Sequence, residues 1–335
     1  CLPGNSIIVI GTCLISRTIL LPYYCDFLGQ SRSGTILKQA NNTNLQAILS
    51  SKSWNNSKPW TSSPSRIAHL SVDGNSLYNQ NSAVNDTAAI IIESWNSVVE
   101  DVHIYDSGGD GLKVTSLGRD SSTVLKTSQV NSRFDGLFIE RSKGHGFHVQ
   151  DPVNAVTDSN LLNSWISNSG QSGIYLENAA GWSVRNNHLY GNSIHGIYAN
   201  RCYGTSIEGN YVEDFGRNPG NEKGWYYGIA CVPQSNAGSI ISNNKVFQLK
   251  GENYTNLNSS FAYIGVPATH GVGVLNIVNN LIRGNGCHNC TNEVGLRYRC
   301  GKSGTNLLVM SQGNNVVSVG VSRDVDEKTT LVAGL

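Results

Sequence analysis

The clearest pattern along the chain is a short alternation of apolar and variable residues that recurs after a glycine. Five segments read glycine, apolar, variable, apolar, variable, and they begin at Gly111, Gly146, Gly173, Gly196 and Gly228. A period of two is typical of a strand with one buried face, and a glycine can enter such a strand with a positive φ. We therefore expect equivalent strands whose first and third residues after the glycine point inward.

A second landmark is an asparagine that follows these glycines at a fixed distance. Asn160, Asn187 and Asn210 each lie fourteen residues after a glycine, and Asn244 comes two residues late in the next repeat. Asparagines that recur once per repeat can bond to one another's amides and to the backbone of turns. We expect these four residues to form a ladder at one corner of a regularly wound chain.

The spacing of the repeat predicts the fold class. The intervals between the glycines range from 23 to 35 residues, and no segment shows a sustained 3.6-residue pattern. Repeats of this length that contact only their neighbours are typical of solenoids. We predict an all-β fold, a single-stranded right-handed parallel β-helix (a β-solenoid) of roughly 12 coils about 4.8 Å apart.

One domain is predicted over residues 1–335, and its regularity changes along the chain. The predicted segments are first coils in 1–40, loop-rich coils in 41–100, regular coils in 101–250 and less regular coils in 251–335. The alignment has an alternative, because Asp135 and Gly136 could begin the strand that we assign to Gly146. We prefer Gly146, because only that register keeps Asn160 on the asparagine ladder.

Composition removes two classes of function. Charged residues make up 14% of the 335, the formal net charge is +1, and there is no basic or acidic block. These values argue against a nucleic-acid binder and against an electrostatic membrane anchor. The most apolar stretch, Ile7 to Leu28, is interrupted by Arg17 and Asp26, so it predicts strands rather than a membrane span.

The eight cysteines permit disulfide pairing outside the cell. Cys231 occupies an inward position of the repeat and is predicted to be a buried thiol. Cys287, Cys290 and Cys300 form a cluster that includes His288. This spacing favours local disulfide chemistry over zinc, because a structural zinc site requires four well-placed ligands.

The opening of the chain resembles that of pectate-lyase-like right-handed β-helix proteins. The resemblance lies in Gly11-Thr-Cys-Leu-Ile-Ser-Arg-Thr-Ile-Leu-Leu-Pro, in Phe27-Leu-Gly and in Gly34-Thr-Ile-Leu-Lys. That superfamily includes pectate lyases, polygalacturonases and phage tailspikes. The resemblance extends to about residue 250 and fades beyond Asn280. It implies the fold and no single activity, because one scaffold hosts many functions.

One local motif is shared with polygalacturonases. Gly144-His145-Gly146 matches the Gly-His-Gly strand of their groove, but the chain has no Asp-Asp pair and no Arg-Ile-Lys. The resemblance therefore does not imply that this chain is a polygalacturonase.

The residues that face outward from the glycine-led strands should form columns one coil apart. The catalytic candidates are Asp110, His145, His195 and, in reserve, Asp135. The substrate-binding candidates are Lys113, His148, Tyr175, Glu177, Tyr198 and Trp225. Imidazoles and carboxylates can move protons, and aromatic faces with polar groups suit sugar rings. The columns therefore predict a surface for a polysaccharide.

Two reactions fit this surface. Glycoside hydrolysis uses two carboxyl groups about 5 to 9.5 Å apart. Asp110 and Glu177 would lie roughly 20 Å apart by strand geometry, so Asp110 would need Asp135 as its partner. β-Elimination of a uronic acid needs a base, such as His145 or Lys113, and a cation, such as calcium or an arginine. The sequence leaves both reactions open.

The preferred function is an extracellular carbohydrate-active β-helix protein that binds and cleaves a polysaccharide, as a lyase, a glycoside hydrolase or a tailspike-type depolymerase. The alternative is a non-catalytic surface, adhesion or fibre-forming protein, which the low charge and the many asparagines, serines and glycines also suit. The expected partners are a polysaccharide and copies of the chain in a trimer or an end-to-end assembly, without nucleic acid or membrane insertion. The expected location is extracellular or on a cell or virion surface.

Overall fold

The computed structural model describes residues 4–21, 23–79, 87–217, 224–249, 259–267, 272–286, 291–301 and 306–333. Contacts between Cα atoms divide the chain into two compact units, Cys1–Gly170 and Gln171–Leu335. The single domain over 1–335 stays a prediction. Cys287, His288 and Cys290 of the predicted cluster lie outside the described residues.

The described part of the first unit consists of short strands and one helical turn. Its helix is α1 (Lys52–Asn55). Its strands are β1 (Ser6–Val9), β2 (Gly11–Ile15), β3 (Ile19–Leu21), β4 (Asp26–Gly29), β5 (Thr35–Gln39), β6 (Ala47–Ser51), β7 (Arg66–Asp73), β8 (Ala88–Ile92), β9 (Val98–Tyr105), β10 (Asp110–Thr115), β11 (Arg133–Asp135), β12 (Phe138–Glu140), β13 (Phe147–Gln150), β14 (Asn160–Leu162) and β15 (Trp165–Ser167).

The described part of the second unit is built from strands alone. They are β16 (Ile174–Glu177), β17 (Ser183–Arg185), β18 (His188–Tyr190), β19 (Ile197–Cys202), β20 (Ser206–Glu208), β21 (Tyr211–Glu213), β22 (Trp225–Pro233), β23 (Ser235–Ser242), β24 (Lys245–Phe247), β25 (Ser260–Val266), β26 (Val272–Val278), β27 (Leu281–Arg283), β28 (Glu293–Tyr298), β29 (Asn306–Gln312), β30 (Asn315–Val317), β31 (Val321–Val325) and β32 (Thr329–Ala333).

Within each unit the strands pair in parallel with strands of the next coil. In the first unit one sheet follows β3, β6, β8, β10 and β13. In the second unit the corresponding sheet follows β16, β19, β22, β25, β28 and β31. The remaining strands pair in the same way on the other faces, for example β17 with β20 and β18 with β21. This pairing between successive coils is that of a parallel β-helix.

The core lies inside the coils, where the alternation placed it. Leu112 and Val114 of β10 are buried and stand beside Phe147 and Val149 of β13, which are also buried. The second unit repeats the arrangement with the fully buried Ile174, Leu176, Ile197, Ala199 and Ile229. The predicted inward positions are therefore confirmed. Strands β1 to β4 likewise confirm the interpretation of the apolar N-terminal stretch as strands.

The recurring glycine is explained by space rather than by backbone conformation. Gly111, Gly196 and Gly228 do not have a positive φ, so that expectation was wrong. A Cβ atom at Gly111 would lie 2.5 Å from Ile139 Cγ2, and one at Gly196 would lie 2.4 Å from Val212 Cγ1. These distances are too short for a side chain. The glycine lets the coil close against its own core.

The asparagine ladder is present in the second unit and is longer than predicted. The backbone N–H and Nδ2 of Asn187 both donate to Oδ1 of Asn210 at 3.0 Å. The same pair of bonds links Asn210 to Asn244, Asn244 to Asn280 and Asn280 to Asn314. Asn187, Asn210 and Asn244 are confirmed. Because these amides are buried, the ladder satisfies backbone donors that no water can reach.

Asn160 does not belong to such a ladder. It begins β14 and pairs with Arg133, whereas Asn187 lies directly before β18. The residue directly before β15 is Ser164, whose Oγ accepts the Leu137 N–H at 3.1 Å. Asn160 is displaced because the loop between β13 and β14 is longer than the loop between β16 and β17.

The Gly146 register is nevertheless correct. Leu112 pairs with Phe147, whereas Asp135 lies on β11 and pairs with Glu100 of β9. The preference for Gly146 was right, although the asparagine that supported it was misplaced.

Cys231 was predicted to be a free buried thiol, and that prediction was wrong in one respect: the residue is buried but is not a free thiol. It forms a disulfide with Cys202, and both residues are fully buried where β19 and β22 run side by side.

Among the described residues, no helix has the length and the apolar character that it would need to cross a membrane.

Candidate functional site

A cluster of charged and titratable side chains is formed by β10 and β13 of the first unit. Lys113 and His148 are register partners, and Asp110 begins the same strand as Lys113. Asp110 Oδ2 accepts a hydrogen bond from His148 Nδ1 at 2.7 Å and lies 3.2 Å from Lys113 Nζ. Asp110 Oδ1 accepts the backbone N–H of His145 at 2.8 Å. The structure therefore brings together four of the predicted site residues.

The carboxylate of Asp110 remains ionised in this cluster. Burial by itself would raise its pKa, but the hydrogen bond and charge of His148, with the charges of Lys113 and His145, hold the pKa of Asp110 well below its usual range. A carboxylate that stays ionised cannot serve as a general acid. Its hydrogen bond holds a proton on His148 Nδ1, which leaves Nε2 as the nitrogen that can act as a base.

The side chains of the cluster differ in solvent exposure, and this decides which of them can reach a substrate. The side chains of Lys113 and Asp110 are 2% and 8% exposed, and that of His148 is 13% exposed. The His145 ring is half-buried and lies 4.7 Å from the His148 ring. Lys113, predicted to bind substrate, is instead enclosed beside Asp110 and cannot reach a polymer in this conformation. His148, also predicted to bind substrate, is better placed for proton transfer.

The cluster has only part of what a metal site requires. Asp110, His145 and His148 offer ligand atoms within 4.8 Å of one another. Calcium takes six to eight oxygen ligands, whereas this group offers two imidazoles and one carboxylate. That carboxylate already accepts two N–H groups and pairs with Lys113. These residues do not fit calcium.

Asp135 is not brought to this cluster. It lies on β11, in a different sheet from β10, and its Oδ2 accepts from Arg133 at 2.8 Å. Asp135 Oδ1 accepts from Asn163 at 3.0 Å. The proposed pairing of Asp110 with Asp135 therefore lacks a geometrical basis, because sheet register places Asp135 beside Glu100.

The second unit contains a cavity of about 430 Å³ on the outer side of β16, β19 and β22. Its lining residues are Tyr175, His195, Tyr198, Asn200, Trp225, Tyr227, Pro267 and Arg297. His195, Tyr175, Tyr198 and Trp225 were predicted site residues, and the structure brings all four together. Glu177 is not in the lining, and its register partner Asn200 is.

The cavity arises from the sizes of side chains in one column. Tyr198 of β19 stands beside Ala230 of β22, and Ala230 stands beside Gly265 of β25, which stands beside Arg297 of β28. Two small residues thus separate two large ones. A Cβ atom at Gly265 would lie 2.2 Å from the Arg297 carbonyl oxygen and 3.3 Å from the Tyr227 ring, so glycine is required there.

The aromatic rings of the cavity are ordered by stacking. Tyr175 and Tyr198 stack at 5.8 Å with a 15° angle, and His195 stacks on Tyr198 at 4.7 Å with a 25° angle. Tyr227 meets Tyr198 edge to face at 6.4 Å. Such pairs stabilise the rings beyond the burial of their area. The result is a rigid aromatic wall.

The tyrosine hydroxyl groups of this wall are neutral at ordinary pH. Burial raises the pKa of Tyr198 to about 12, and burial also raises the pKa of Tyr175 and of Tyr227. His195 Nδ1 accepts the backbone N–H of Tyr227 at 3.0 Å, so its neutral ring carries the proton on Nε2. The tyrosines therefore keep hydroxyl groups that can donate hydrogen bonds.

Sequence reasoning did not assign Tyr227 and Arg297 to the site. Tyr227 stands immediately before Gly228, as His195 stands before Gly196, so the column contained the signal. Arg297 follows Gly295 in a segment that reads glycine, apolar, variable, apolar. That repeat was overlooked because the pattern is interrupted between residues 250 and 290.

Comparisons with known proteins agree with this architecture. Residues 128–264 match a family model described as the right handed beta helix region. No curated protein matches the sequence. The N-terminal fragment of bacteriophage Phi29 gene product 12 is similar in structure, with a TM-score of 0.61, 13% identity and coverage of 96% of this chain. This chain spans 60% of that fragment's length.

Two enzymes are similar in structure as well. The A-module of the Azotobacter vinelandii mannuronan C-5 epimerase AlgE6 has a TM-score of 0.55 and 13% identity, with 99% of this chain and 91% of that chain covered. The DFA-IIIase from Arthrobacter chlorophenolicus A6 has a TM-score of 0.59 and 12% identity, with 98% and 84% covered. Identities this low show the fold alone. The strand pairing, the family model and these structures together confirm the predicted right-handed parallel β-helix fold.

Proposed function

We propose that this protein binds a carbohydrate polymer and holds its sugar rings in the aromatic cavity of the second unit. The observation that carries the proposal is the stacked wall of Tyr175, Tyr198 and His195 in the same lining as Trp225. A sugar ring has apolar C–H faces and polar edges. Rigid aromatic faces that carry hydroxyl groups complement both. A volume of about 430 Å³ also falls within the range of about 300–1,000 Å³ typical of ligand pockets.

A binding experiment with matched variants tests this proposal. Calorimetric titration with a panel of neutral and acidic oligosaccharides, mannuronan among them, should identify at least one ligand. Tyr198→Ala and Trp225→Ala should each weaken that ligand's binding at least about tenfold, because each removes a stacking face. Tyr211→Ala is the control, because Tyr211 packs on Phe247 in another sheet of the same unit. Equal affinity in all three variants would falsify the proposal.

Cleavage of the polymer is a second candidate activity, and the Asp110–His148 pair of the first unit favours it. In a β-elimination, His148 Nε2 would take the C5 proton of a uronic acid residue. The electron pair would form the C4=C5 double bond, the C4–O bond would break, and the leaving oxygen would take a proton from solvent. Elimination suits the pair better than hydrolysis, because ionised Asp110 cannot protonate a leaving group.

The cleavage candidate is tested by the ultraviolet absorbance of unsaturated products. His148→Ala and Asp110→Asn should reduce the rate at least about a hundredfold, in line with the usual contribution of a general base. His69→Gln is the matched control, because His69 and Asp101 form a similar pair at 2.8 Å on an exposed surface of the same unit. Release of reducing ends without unsaturation would favour hydrolysis. Full activity in both variants would remove the pair from the mechanism.

If the same experiments show binding without turnover, they favour the alternative of a non-catalytic surface or fibre-forming protein. The buried Cys202–Cys231 disulfide supports an extracellular or surface location, where such bonds persist. Assembly into a trimer or end to end stays a prediction, and light scattering of the purified chain measures it.

A further inference from the structure

We infer that the aromatic cavity selects anionic sugar residues and that Arg297 is the residue that determines this specificity. The inference rests on the proposed binding function and names the chemistry of the preferred ligand. Arg297 is the only lining residue with a permanent charge among the described residues, and the lining includes no carboxylate. A sugar that carries a carboxylate, sulfate or phosphate group would therefore meet an opposite charge in the cavity.

The guanidinium of Arg297 is fixed in place by two aromatic residues. Its carbon lies 4.0 Å from the centroid of the Trp225 ring, which is a short cation–π contact. Its Nη1 donates a hydrogen bond to the Tyr227 hydroxyl oxygen at 2.7 Å. A guanidinium held in this way loses little conformational freedom when it binds an anion, and its planar fork suits a carboxylate.

The charge of Arg297 is only partly compensated. Its nearest carboxylate is Asp324, whose Oδ2 lies 3.7 Å from Arg297 Nε, beyond hydrogen-bonding length. The same oxygen of Asp324 also pairs closely with Arg299. One carboxylate thus serves two guanidinium groups. The Arg297 side chain is only 12% exposed, so solvent screens its charge less than it would at the surface.

The neutral groups around the cavity do not oppose an anion. The tyrosines stay protonated because burial raises their pKa values, and His195 takes its proton on Nε2. Glu177 lies outside the lining, although its charge acts on Tyr175. The cavity therefore combines donors and one cation, which is the pattern expected for an acidic sugar.

The test compares ligands that differ only in charge. An oligouronate, its carboxyl-reduced counterpart and a sulfated oligosaccharide with the same neutral backbone are titrated against the wild-type chain and Arg297→Gln. The wild type should prefer the acidic ligands at least about tenfold, as a hydrogen bond to a charged group predicts. Arg297→Gln should lose this preference and keep its affinity for the reduced ligand. Comparing the oligouronate with the sulfated ligand distinguishes carboxylate from sulfate recognition.

Controls separate specificity from folding. Arg283→Gln removes a positive charge from the exposed face of β27 and should leave the preference unchanged. Arg297→Lys keeps the charge and should keep part of the preference. Equal binding of acidic and reduced ligands by the wild type, or equal weakening of both by Arg297→Gln, would overturn the inference while leaving sugar binding intact. Failure to bind any ligand would instead contradict the proposed function itself.

Discussion

The two units use equivalent outward positions of the repeat in opposite ways. In the first unit the second residues after the glycines are Lys113 and His148, and they close around the ionised Asp110. In the second unit the column passes from Tyr198 through Ala230 and Gly265, and a cavity opens beside them. Charged neighbours that attract one another fill the column, whereas small residues between large ones leave space. Side-chain size and charge, rather than backbone, therefore distinguish a buried cluster from a binding cavity.

The largest effect on stability is expected when the Asp110 carboxylate of the first unit is removed. Asp110→Ala removes the carboxylate that pairs with the enclosed ammonium of Lys113, which should cost about 3–5 kcal/mol of unfolding free energy. Urea denaturation measures the loss. Asp110→Ala combined with Lys113→Met should recover much of it, because both charges are then absent. If the double variant is no more stable than Asp110→Ala, the pair does not act as a unit.

A second test uses pH on the buried carboxyl of Glu93 in the first unit. Burial raises its pKa from 4.5 to about 8, with the Ser53 hydroxyl opposing and the charge of Asp120 adding to the shift. The folded state therefore holds a proton that the unfolded chain releases above pH 4.5. The stability from this group is complete below pH 4.5 and is lost as the pH rises to about 8, by up to about 1.4 kcal/mol per pH unit.

Glu93→Gln should remove this pH dependence when unfolding is measured at pH 5 and pH 8. Glu293→Gln in the second unit is the comparison, because burial raises the pKa of Glu293 as well, while the Tyr263 hydroxyl donates to it at 2.6 Å. If the stability of the wild type and that of Glu93→Gln change by the same amount between pH 5 and pH 8, the assignment is contradicted.

Removal of the Cys202–Cys231 disulfide tests the stability of the second unit. Replacing Cys202 and Cys231 with alanine should lower the free energy of unfolding by about 2–4 kcal/mol, because the unfolded chain is no longer cross-linked. Thermal denaturation in oxidising buffer measures this. Cys13→Ala should have a much smaller effect, since Cys13 is only partly buried. Under full reduction the double variant and the wild type should converge.

The smallest expected effect is at the asparagine ladder of the second unit. Asn244→Ala removes the acceptor for two donors of Asn210 and leaves them buried, which should cost about 1–3 kcal/mol. Asn315→Ala on the exposed β30 should change stability by less than about 0.5 kcal/mol. Amide exchange of the Asn210 backbone N–H should accelerate in the first variant and stay slow in the second.

The repeat could be found from the sequence because strand periodicity is local. The glycines and the alternating residues gave the register of Leu112 with Phe147, and Asn187, Asn210 and Asn244 gave the ladder. The prediction for Asn160 was wrong because the loop between β13 and β14 is longer, so the residue fourteen positions after Gly146 is no longer the corner residue. The spacing of the glycines does not reveal which residues of a coil form its loop and which form its strands.

The candidate site was only partly accessible to the same reasoning. The column rule placed Tyr175 beside Tyr198, but it could not show that Lys113 is enclosed and pairs with Asp110. It also could not place Arg297 at the cavity, because that depends on Gly265, its register partner one coil earlier, having no side chain. Such effects depend on what neighbouring coils leave empty.

The sequence by itself determined the winding of this chain, because alternation and tight glycines follow from which residues can be buried next to one another. Only the tertiary structure decided which outward residues became enclosed and which border a cavity. The physical reason is that burial and charge pairing depend on neighbours that are distant along the chain, such as Asp110 and His148, which are 38 residues apart, or Ala230 and Gly265, which are register partners in successive coils. Those neighbours exist only once the coils are stacked.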